Sequence, residues 1–196
     1  MSGVSIDEAM AEAIRRHQAG ALGDAEQIYR QVLAVAPQHF DATQLLGLAL
    51  YQTGRHAEAL PLLQRAIAQK PSAWGPRCNL ALTLLELGRP GDALREADAA
   101  LALNPDAADA LFCRAAALFQ ADRFEESLRD WRRVTELRPT HAGAWTNLGL
   151  ALEKLGRFDD ALTACEKAIQ FDPASADALV NLAALQSRLG LSLIHI

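Results

Sequence analysis

The residue types that usually carry out catalysis occur in this chain without the spacing that catalysis or metal binding requires. The five histidines form neither an HExxH motif nor any other metal-ligand spacing. They are His17, His39, His56, His141 and His195. The glycines of the segment GRPGDA at 88–93 lack the Lys-Ser/Thr pair of a phosphate-binding loop. The sequence therefore predicts no catalytic residue, no metal site and no cofactor, and we interpret the chain as non-catalytic.

Acidic pairs and thiols also have structural explanations. Asp159 and Asp160 lie near the start of a predicted helix, where carboxylates interact favourably with the helix dipole. Cys78, Cys113 and Cys165 are an odd number of cysteines without CxxC spacing, which argues against a disulfide framework or a zinc site. We predict three small thiols of the core or the groove in a reducing, cytoplasmic compartment.

Composition and charge narrow the class of protein. Hydrophobic residues make up 51% of the 196 residues and charged residues 22%, which argues against a disordered chain. Alanine is abundant and aromatic residues are only 6%, which favours helices over strands. The net charge of -5 argues against binding to nucleic acid phosphates. Neither a secretory signal nor an apolar run of about 18 residues is present, so no membrane span is predicted.

Other residues recur with a period of 34. Glycine, replaced once by aspartate, occurs at Gly20, Gly54, Gly88, Asp122, Gly156 and Gly190. A small residue occurs at Ala25, Ala59, Ala93, Ser127 and Ala161. Proline occurs at Pro37, Pro71, Pro105, Pro139 and Pro173. Three columns with one period predict an internal repeat of a single supersecondary unit.

Each column has a predicted structural role. Glycine adopts positive φ where a first helix ends, and Asp122 tolerates that conformation better than most residue types. Proline cannot continue a second helix and follows its end. The small residue lets the two helices approach closely. Each repeat is therefore predicted to contain two helices, which we call helix A and helix B.

The segment Trp145–Gly149 (WTNLG), together with Leu152, Ala161 and Pro173, resembles a tetratricopeptide repeat. The unit 40–73 resembles it in the same way, and the resemblance extends from about residue 6 to residue 190. It implies an all-α fold, a right-handed superhelix (α-solenoid) of antiparallel helix pairs with about 11 helices. Because one fold serves many functions, the resemblance says much about fold and little about ligand.

The period fixes the predicted boundaries of the repeats. A leader at 1–5 precedes five complete units at 6–39, 40–73, 74–107, 108–141 and 142–175, and helix A of a sixth unit occupies 176–190. In the first unit, Glu12 and Arg16 replace the leucines of other units, and we expect them to pair at a polar, capping end close to the natural N-terminus.

The tail at 191–196 (LSLIHI) does not continue the repeat as the residues after Gly156 do. It resembles a translated sequencing adaptor, so we expect it to be non-native and the natural protein to continue past Gly190. The alternative is a native apolar tail that packs on the last helix. The exposed apolar face of that helix also predicts self-association.

On helix A, repeat positions 4, 7, 8 and 11 are predicted to face the core, and positions 2, 5, 6, 9, 12 and 13 to face away from it. The family resemblance implies that the second set lines a concave groove. Position 6 holds Asn79, Asn147 and Asn181, and an amide can both donate to and accept from a peptide backbone. This row resembles the asparagine ladder of protein O-GlcNAc transferases, although Leu45 and Cys113 interrupt it. The alternative is a merely solvated helix face.

The other groove candidates are polar or aromatic residues of helix A. They are Tyr51, Gln52, Phe112, Phe119, Gln120, Glu153, Lys154 and Arg188. Phe112 and Phe119 are seven residues apart and could anchor a ligand or pack against the neighbouring helix A.

We predict a scaffold that binds a peptide or partner protein, but neither nucleic acid nor membrane. The alternative, from a resemblance to bacterial O-GlcNAc-transferase-like glycosyltransferases and to sulfotransferases, is the substrate-recognition part of a larger enzyme.

Overall fold

The computed structural model describes residues 5–190. These residues form eleven α-helices and no strand, which confirms the predicted all-α class. The predicted tail at 191–196, and residues 1–4 of the predicted leader, lie outside the described residues.

The chain divides into two compact units, Met1–Pro105 and Asp106–Ile196. The first contains α1 (Ile6–Gln18), α2 (Leu22–Val35), α3 (Phe40–Gln52), α4 (His56–Gln69), α5 (Gly75–Glu86) and α6 (Pro90–Leu103). The second contains α7 (Ala108–Gln120), α8 (Phe124–Leu137), α9 (Ala142–Lys154), α10 (Phe158–Phe171) and α11 (Ala176–Arg188). Within each unit consecutive helices pack together across short turns, as in stacked antiparallel helix pairs. Odd-numbered helices correspond to helix A of the repeat and even-numbered helices to helix B.

A residue with positive φ closes the turn after each odd-numbered helix. Gly54 has a φ of 75° and Asp122 a φ of 58°. The next amide then donates to a carbonyl in the last helical turn, from Arg55 N to Leu50 O and from Arg123 N to Leu118 O, both at 2.9 Å. The other members of the column share this conformation: Gly20, Gly88, Gly156 and Gly190. The predicted role of the column is confirmed, including its one aspartate.

The small residues of the second column lie where paired helices touch. All of them are fully buried: Ala25, Ala59, Ala93, Ser127 and Ala161. A Cβ atom added at Gly149 of α9 would lie 3.4 Å from the carbonyl oxygen of Ala161 and 3.0 Å from Cys165 Sγ on α10. Close approach of the two helices is therefore confirmed, and a side chain larger than alanine would separate them.

The prolines of the third column lie in the turns after the even-numbered helices. Each follows the last helical residue by two positions: Pro37, Pro71, Pro105, Pro139 and Pro173. Such a position just beyond the helix end is where proline costs no helical hydrogen bond.

Two repeats use charged pairs where other repeats use apolar contacts. Arg16 Nε lies 2.6 Å from Glu12 Oε1 on the surface of α1, which confirms the predicted pairing. The hydrogen bond from Arg16 lowers the pKa of Glu12. In α7, Arg114 Nε and Nη2 donate to the two carboxylate oxygens of Asp130 at 2.6 and 2.7 Å. Asp130 is only 7% exposed, so this bidentate pair joins α7 to α8 at the edge of the core.

Candidate peptide-binding face

In each unit the odd-numbered helices lie beside one another. In the first unit, His17 Nε2 of α1 is 2.7 Å from Gln52 Oε1 of α3, and α3 packs against α5. In the second unit, α9 packs against α11, and Arg188 Nη1 donates to Glu153 Oε1 at 3.1 Å. Side chains at equivalent positions of neighbouring odd-numbered helices therefore share one surface.

We call these surfaces the A faces. Each consists of the residues at repeat positions 2, 6, 9, 12 and 13 of the odd-numbered helices in one unit. The first A face consists of Asp7, Ala11, Ile14, His17, Gln18, Asp41, Leu45, Leu48, Tyr51, Gln52, Gly75, Asn79, Leu82, Leu85 and Glu86. The second A face consists of Asp109, Cys113, Ala116, Phe119, Gln120, Gly143, Asn147, Leu150, Glu153, Lys154, Asp177, Asn181, Ala184, Ser187 and Arg188.

Position 13 is the most open position of both A faces. Its six residues are all exposed: Gln18, Gln52, Glu86, Gln120, Lys154 and Arg188. Position 9 is apolar and mostly half-buried, as at Leu48, Leu82 and Leu150. Each A face therefore combines partly exposed apolar side chains with a row of fully exposed polar ones.

The prediction that position 5 faces away from the core is wrong at Met10, Cys78 and Thr146, which are buried. An odd-numbered helix packs on the even-numbered helix of its own pair and also on the preceding one, as α9 packs on α10 and on α8. A larger part of the circumference of each odd-numbered helix is therefore buried than packing on one even-numbered helix would bury.

The asparagines of position 6 share a half-buried environment. Asn79 of α5, Asn147 of α9 and Asn181 of α11 are half-buried. Within residues 5–190, none of their side-chain amides makes a hydrogen bond. Leu45 at the same position is half-buried, whereas Cys113 is only 1% exposed. The row is thus interrupted at α7 because Cys113 belongs to the core.

The two candidate phenylalanines pack partly inside their own helix pair. The ring of Phe112 meets Trp131 of α8 edge-on at 4.7 Å between centroids and lies 5.5 Å from the ring of His141. Phe119 lies 5.3 Å from Phe124 at the start of α8. Both phenylalanines remain half-buried, so each presents part of its ring to a ligand.

The remaining candidates differ in the contacts that orient their side chains. The half-buried Tyr51 lies 5.5 Å from the ring of His56, and Gln52 is held by His17. Gln120 and Lys154 are exposed. Arg188 is fixed by Glu153 and by the ring of Phe158, 5.4 Å away. These contacts orient part of each A face before any ligand binds.

Sequence reasoning missed His17, which connects three helices. Besides contacting Gln52, its Nδ1 lies 3.2 Å from the hydroxyl of Tyr29 on α2. Tyr29 is fully buried, and burial raises its pKa to about 12, so it remains a neutral phenol at physiological pH. The signal for His17 was its repeat position 12, which it shares with Tyr51, Phe119 and Glu153.

The potential metal ligands and the thiols of the described residues do not lie in one cluster. Among residues 5–190, no three His, Cys, Asp or Glu side chains are grouped as metal ligands would be. The thiols of Cys78, Cys113 and Cys165 are buried, and burial raises the pKa of Cys165 to about 11. A thiol with that pKa is a poor nucleophile at neutral pH. None of the described helices is both long and apolar enough to cross a membrane.

Comparison with known families gives one consistent result. Three sequence models described as tetratricopeptide repeat match residues 16–82, 78–131 and 142–175. Together they cover most of the chain. A search of curated proteins gives no match.

Several solved structures have similar folds, and two of the three that follow are described as TPR proteins. YrrB, described as a TPR protein with an unusual peptide-binding site, is 23% identical with a TM-score of 0.65, over 90% of this chain and 91% of YrrB. TTC0263, a TPR protein from Thermus thermophilus, is 19% identical with a TM-score of 0.80, over 93% of this chain and all of its own. A chain of the APC/C hetero-tetramer Cut9-Hcn1 is 18% identical with a TM-score of 0.89, over 95% of this chain and 38% of its own. At these identities the likeness establishes the fold alone.

Proposed function

We propose, from the premise that this chain belongs to the tetratricopeptide repeat family, that its A faces bind an extended segment of a partner protein. The observation that carries this proposal is the set of half-buried side-chain amides of Asn79, Asn147 and Asn181, which make no hydrogen bond within residues 5–190. An amide that is partly removed from water and lacks a protein partner gains most from a ligand that supplies one.

The chemistry of asparagine suits a peptide backbone. Each side chain offers two N–H donors and one carbonyl acceptor, so it can bond to both the C=O and the N–H of an extended segment. Backbone groups are common to all peptides, so these bonds give affinity without reading sequence. Sequence preference must then come from neighbouring side chains such as Tyr51 and Phe119.

The scaffold supports this role because its A faces are already ordered. The odd-numbered helices are held by fully buried alanines and by contacts such as Arg188 to Glu153. A ligand therefore orders few protein groups when it binds, which lowers the entropic cost of binding. The fold is shared with YrrB, whose description names a peptide-binding site.

The test is fluorescence polarisation with fluorescein-labelled random peptides, whose tightest binders are then titrated individually. The variant is the triple change Asn79→Ala, Asn147→Ala and Asn181→Ala. Each amide is taken to contribute about 0.7 kcal/mol, so loss of Asn147 and Asn181 is expected to weaken binding to the second A face roughly tenfold, and loss of Asn79 to weaken binding to the first A face about threefold.

A matched control removes three amides from even-numbered helices: Gln31→Ala, Gln64→Ala and Gln170→Ala. Its affinity is expected to equal that of the wild-type protein, and circular dichroism checks that both variants fold. Equal affinity of the asparagine variant and the wild type would contradict the proposal, as would the absence of any peptide binding.

A further inference from the structure

The first A face contains acidic residues and no lysine or arginine. The acidic residues are Asp7 of α1, Asp41 of α3 and Glu86 of α5, and all three side chains are exposed. Within residues 5–190 none of the three forms an ion pair. The surface is therefore negatively charged, with no cation of its own to neutralise it.

Acidic residues elsewhere on the first unit have a different environment. Six of them pair with arginines: Glu12, Asp24, Glu26, Glu58, Asp92 and Glu96. For example, Glu96 of α6 lies 2.8 Å from Arg77, and Glu26 of α2 lies 2.9 Å from Arg30. Arginine is thus abundant on the other surfaces of this unit, and its absence from the A face is specific to that face.

Helix stability explains two of the three unpaired acidic residues but not the third. Asp7 and Asp41 lie in the first turns of α1 and α3, where the helix dipole favours a negative charge. Glu86 is the last residue of α5, where the dipole disfavours one. The other residues at position 13 are neutral or basic: Gln18, Gln52, Gln120, Lys154 and Arg188. Glu86 therefore carries a charge that destabilises its own helix and has no partner.

Apolar side chains lie on the same face as these charges. Ile14, Leu45, Leu48 and Leu82 are half-buried, so each leaves part of its surface open to a ligand. Apolar side chains of a partner would cover this surface, and cationic side chains would neutralise the unpaired carboxylates.

We propose that the first A face binds a peptide segment in which apolar residues are flanked by lysine or arginine, and that Glu86 selects the cationic residue. This inference rests on the proposed function, because it specifies the ligand of the same surface. Glu86 is a specificity-determining residue in this account, since its charge rather than its packing distinguishes one ligand from another.

The test uses three pools of fluorescein-labelled peptides that share the same apolar residues and differ in their flanking residues, which are lysine, serine or glutamate. Fluorescence polarisation at low ionic strength is expected to show the lysine pool binding about tenfold more tightly than the glutamate pool. Added salt should reduce this ratio, because it screens exposed charges.

Glu86→Gln introduces the residue found at the same position of α1, α3 and α7. It is expected to reduce the lysine-to-glutamate ratio about threefold, the effect of one exposed charge. Glu166→Gln, which removes one exposed charge from α10, is the control and should leave the ratio unchanged. The combination of Asp7→Asn, Asp41→Asn and Glu86→Gln should abolish the preference.

The outcomes separate this inference from the proposed function. Equal binding of all three pools, or an unchanged ratio in the triple variant, would overturn the inference and leave peptide binding intact. Failure of all three pools to bind the wild-type protein would contradict the proposed function itself. A lysine preference that Glu86→Gln lowers and Glu166→Gln does not would support both.

Discussion

Two neighbouring helix pairs of the second unit, α7–α8 and α9–α10, have the same fold but different residues at four corresponding positions. The first pair has Asp122, Ser127, Arg114 and Cys113. The corresponding residues of the second pair are Gly156, Ala161, Leu148 and Asn147. Three of these four positions shape the fold and one belongs to the predicted ligand face.

Two of the three departures at fold positions of α7–α8 have a hydrogen-bonding partner, and the third is tolerated by the backbone. Asp122 adopts the same positive φ as glycine, 58° against 73° at Gly156. The hydroxyl of Ser127 donates to the carbonyl oxygen of Ala115 at 2.8 Å, so its polar group is satisfied although buried. Arg114 is neutralised by Asp130, where α10 has Ala164.

The ligand position behaves differently. Asn147 is half-buried, and its replacement in α7, Cys113, is buried without any change in the course of the helix. The changes at Ser127 and Arg114 each come with a hydrogen-bonding partner in the helix pair, whereas the change to Cys113 buries a position that is half-buried in α9. The same fold therefore accepts different residues at this predicted ligand position.

The largest expected effect is at the small-residue column, where both pairs should respond alike. Ala161→Leu and Ser127→Leu each place a large side chain at a fully buried contact between paired helices. Each is expected to destabilise the protein by about 2 kcal/mol, measured by urea denaturation. Ser127→Ala is the control and should change stability by less than about 0.5 kcal/mol. A neutral leucine variant would show that close approach is not required.

The second effect concerns the buried carboxylate of Asp130, a position that holds Ala164 in the neighbouring pair. Asp130→Ala removes the carboxylate that binds Arg114, a side chain 31% exposed. We expect a loss of about 1.5 kcal/mol in the free energy of unfolding. The control is Asp109→Ala, which breaks the more exposed bidentate pair with Arg138, at 2.5 and 2.9 Å, and should cost at most about 0.5 kcal/mol. Equal losses would mean that burial does not strengthen the inner pair.

The smallest effect concerns the turn with positive φ. Asp122→Gly should stabilise the protein by about 0.5 kcal/mol, because glycine adopts this conformation without steric cost. The reverse change in the neighbouring pair, Gly156→Asp, should destabilise it by a similar amount. Melting temperatures of the two variants should therefore move in opposite directions. A shift in the same direction would show that Asp122 stabilises its turn by some other interaction.

The sequence predicted the columns of the fold because each needs a particular residue type at one position of a 34-residue period, and the recurrence reveals the need. A positive φ calls for Gly54 or a tolerant substitute such as Asp122, and a close helix contact calls for Ala161. Position 5 could not be predicted in the same way, because the burial of Thr146 depends on the second neighbouring helix of α9. The Arg114 to Asp130 pair was also missed, since an arginine at a core position is explained only by its partner on another helix.

The candidate site was predicted from periodicity, which places Asn147 and Asn181 at one repeat position but does not determine whether their amides already have partners. Contacts such as those of His17 with Tyr29 and Gln52 depend on side chains distant in sequence, so repeat position alone could not reveal them.

The central claim is that the odd-numbered helices bind a peptide through the asparagines of position 6. Nuclear magnetic resonance of the side-chain amides tests it most directly, with the tightest-binding random peptide titrated into the ¹⁵N-labelled full chain. We expect the peptide to shift the side-chain amide signals of the A face that it occupies, which are those of Asn79 in the first unit or of Asn147 and Asn181 in the second. The signals of Gln64 and Gln170 on even-numbered helices should not shift. Saturable binding that shifts the glutamine signals and leaves the three asparagine signals in place would contradict it.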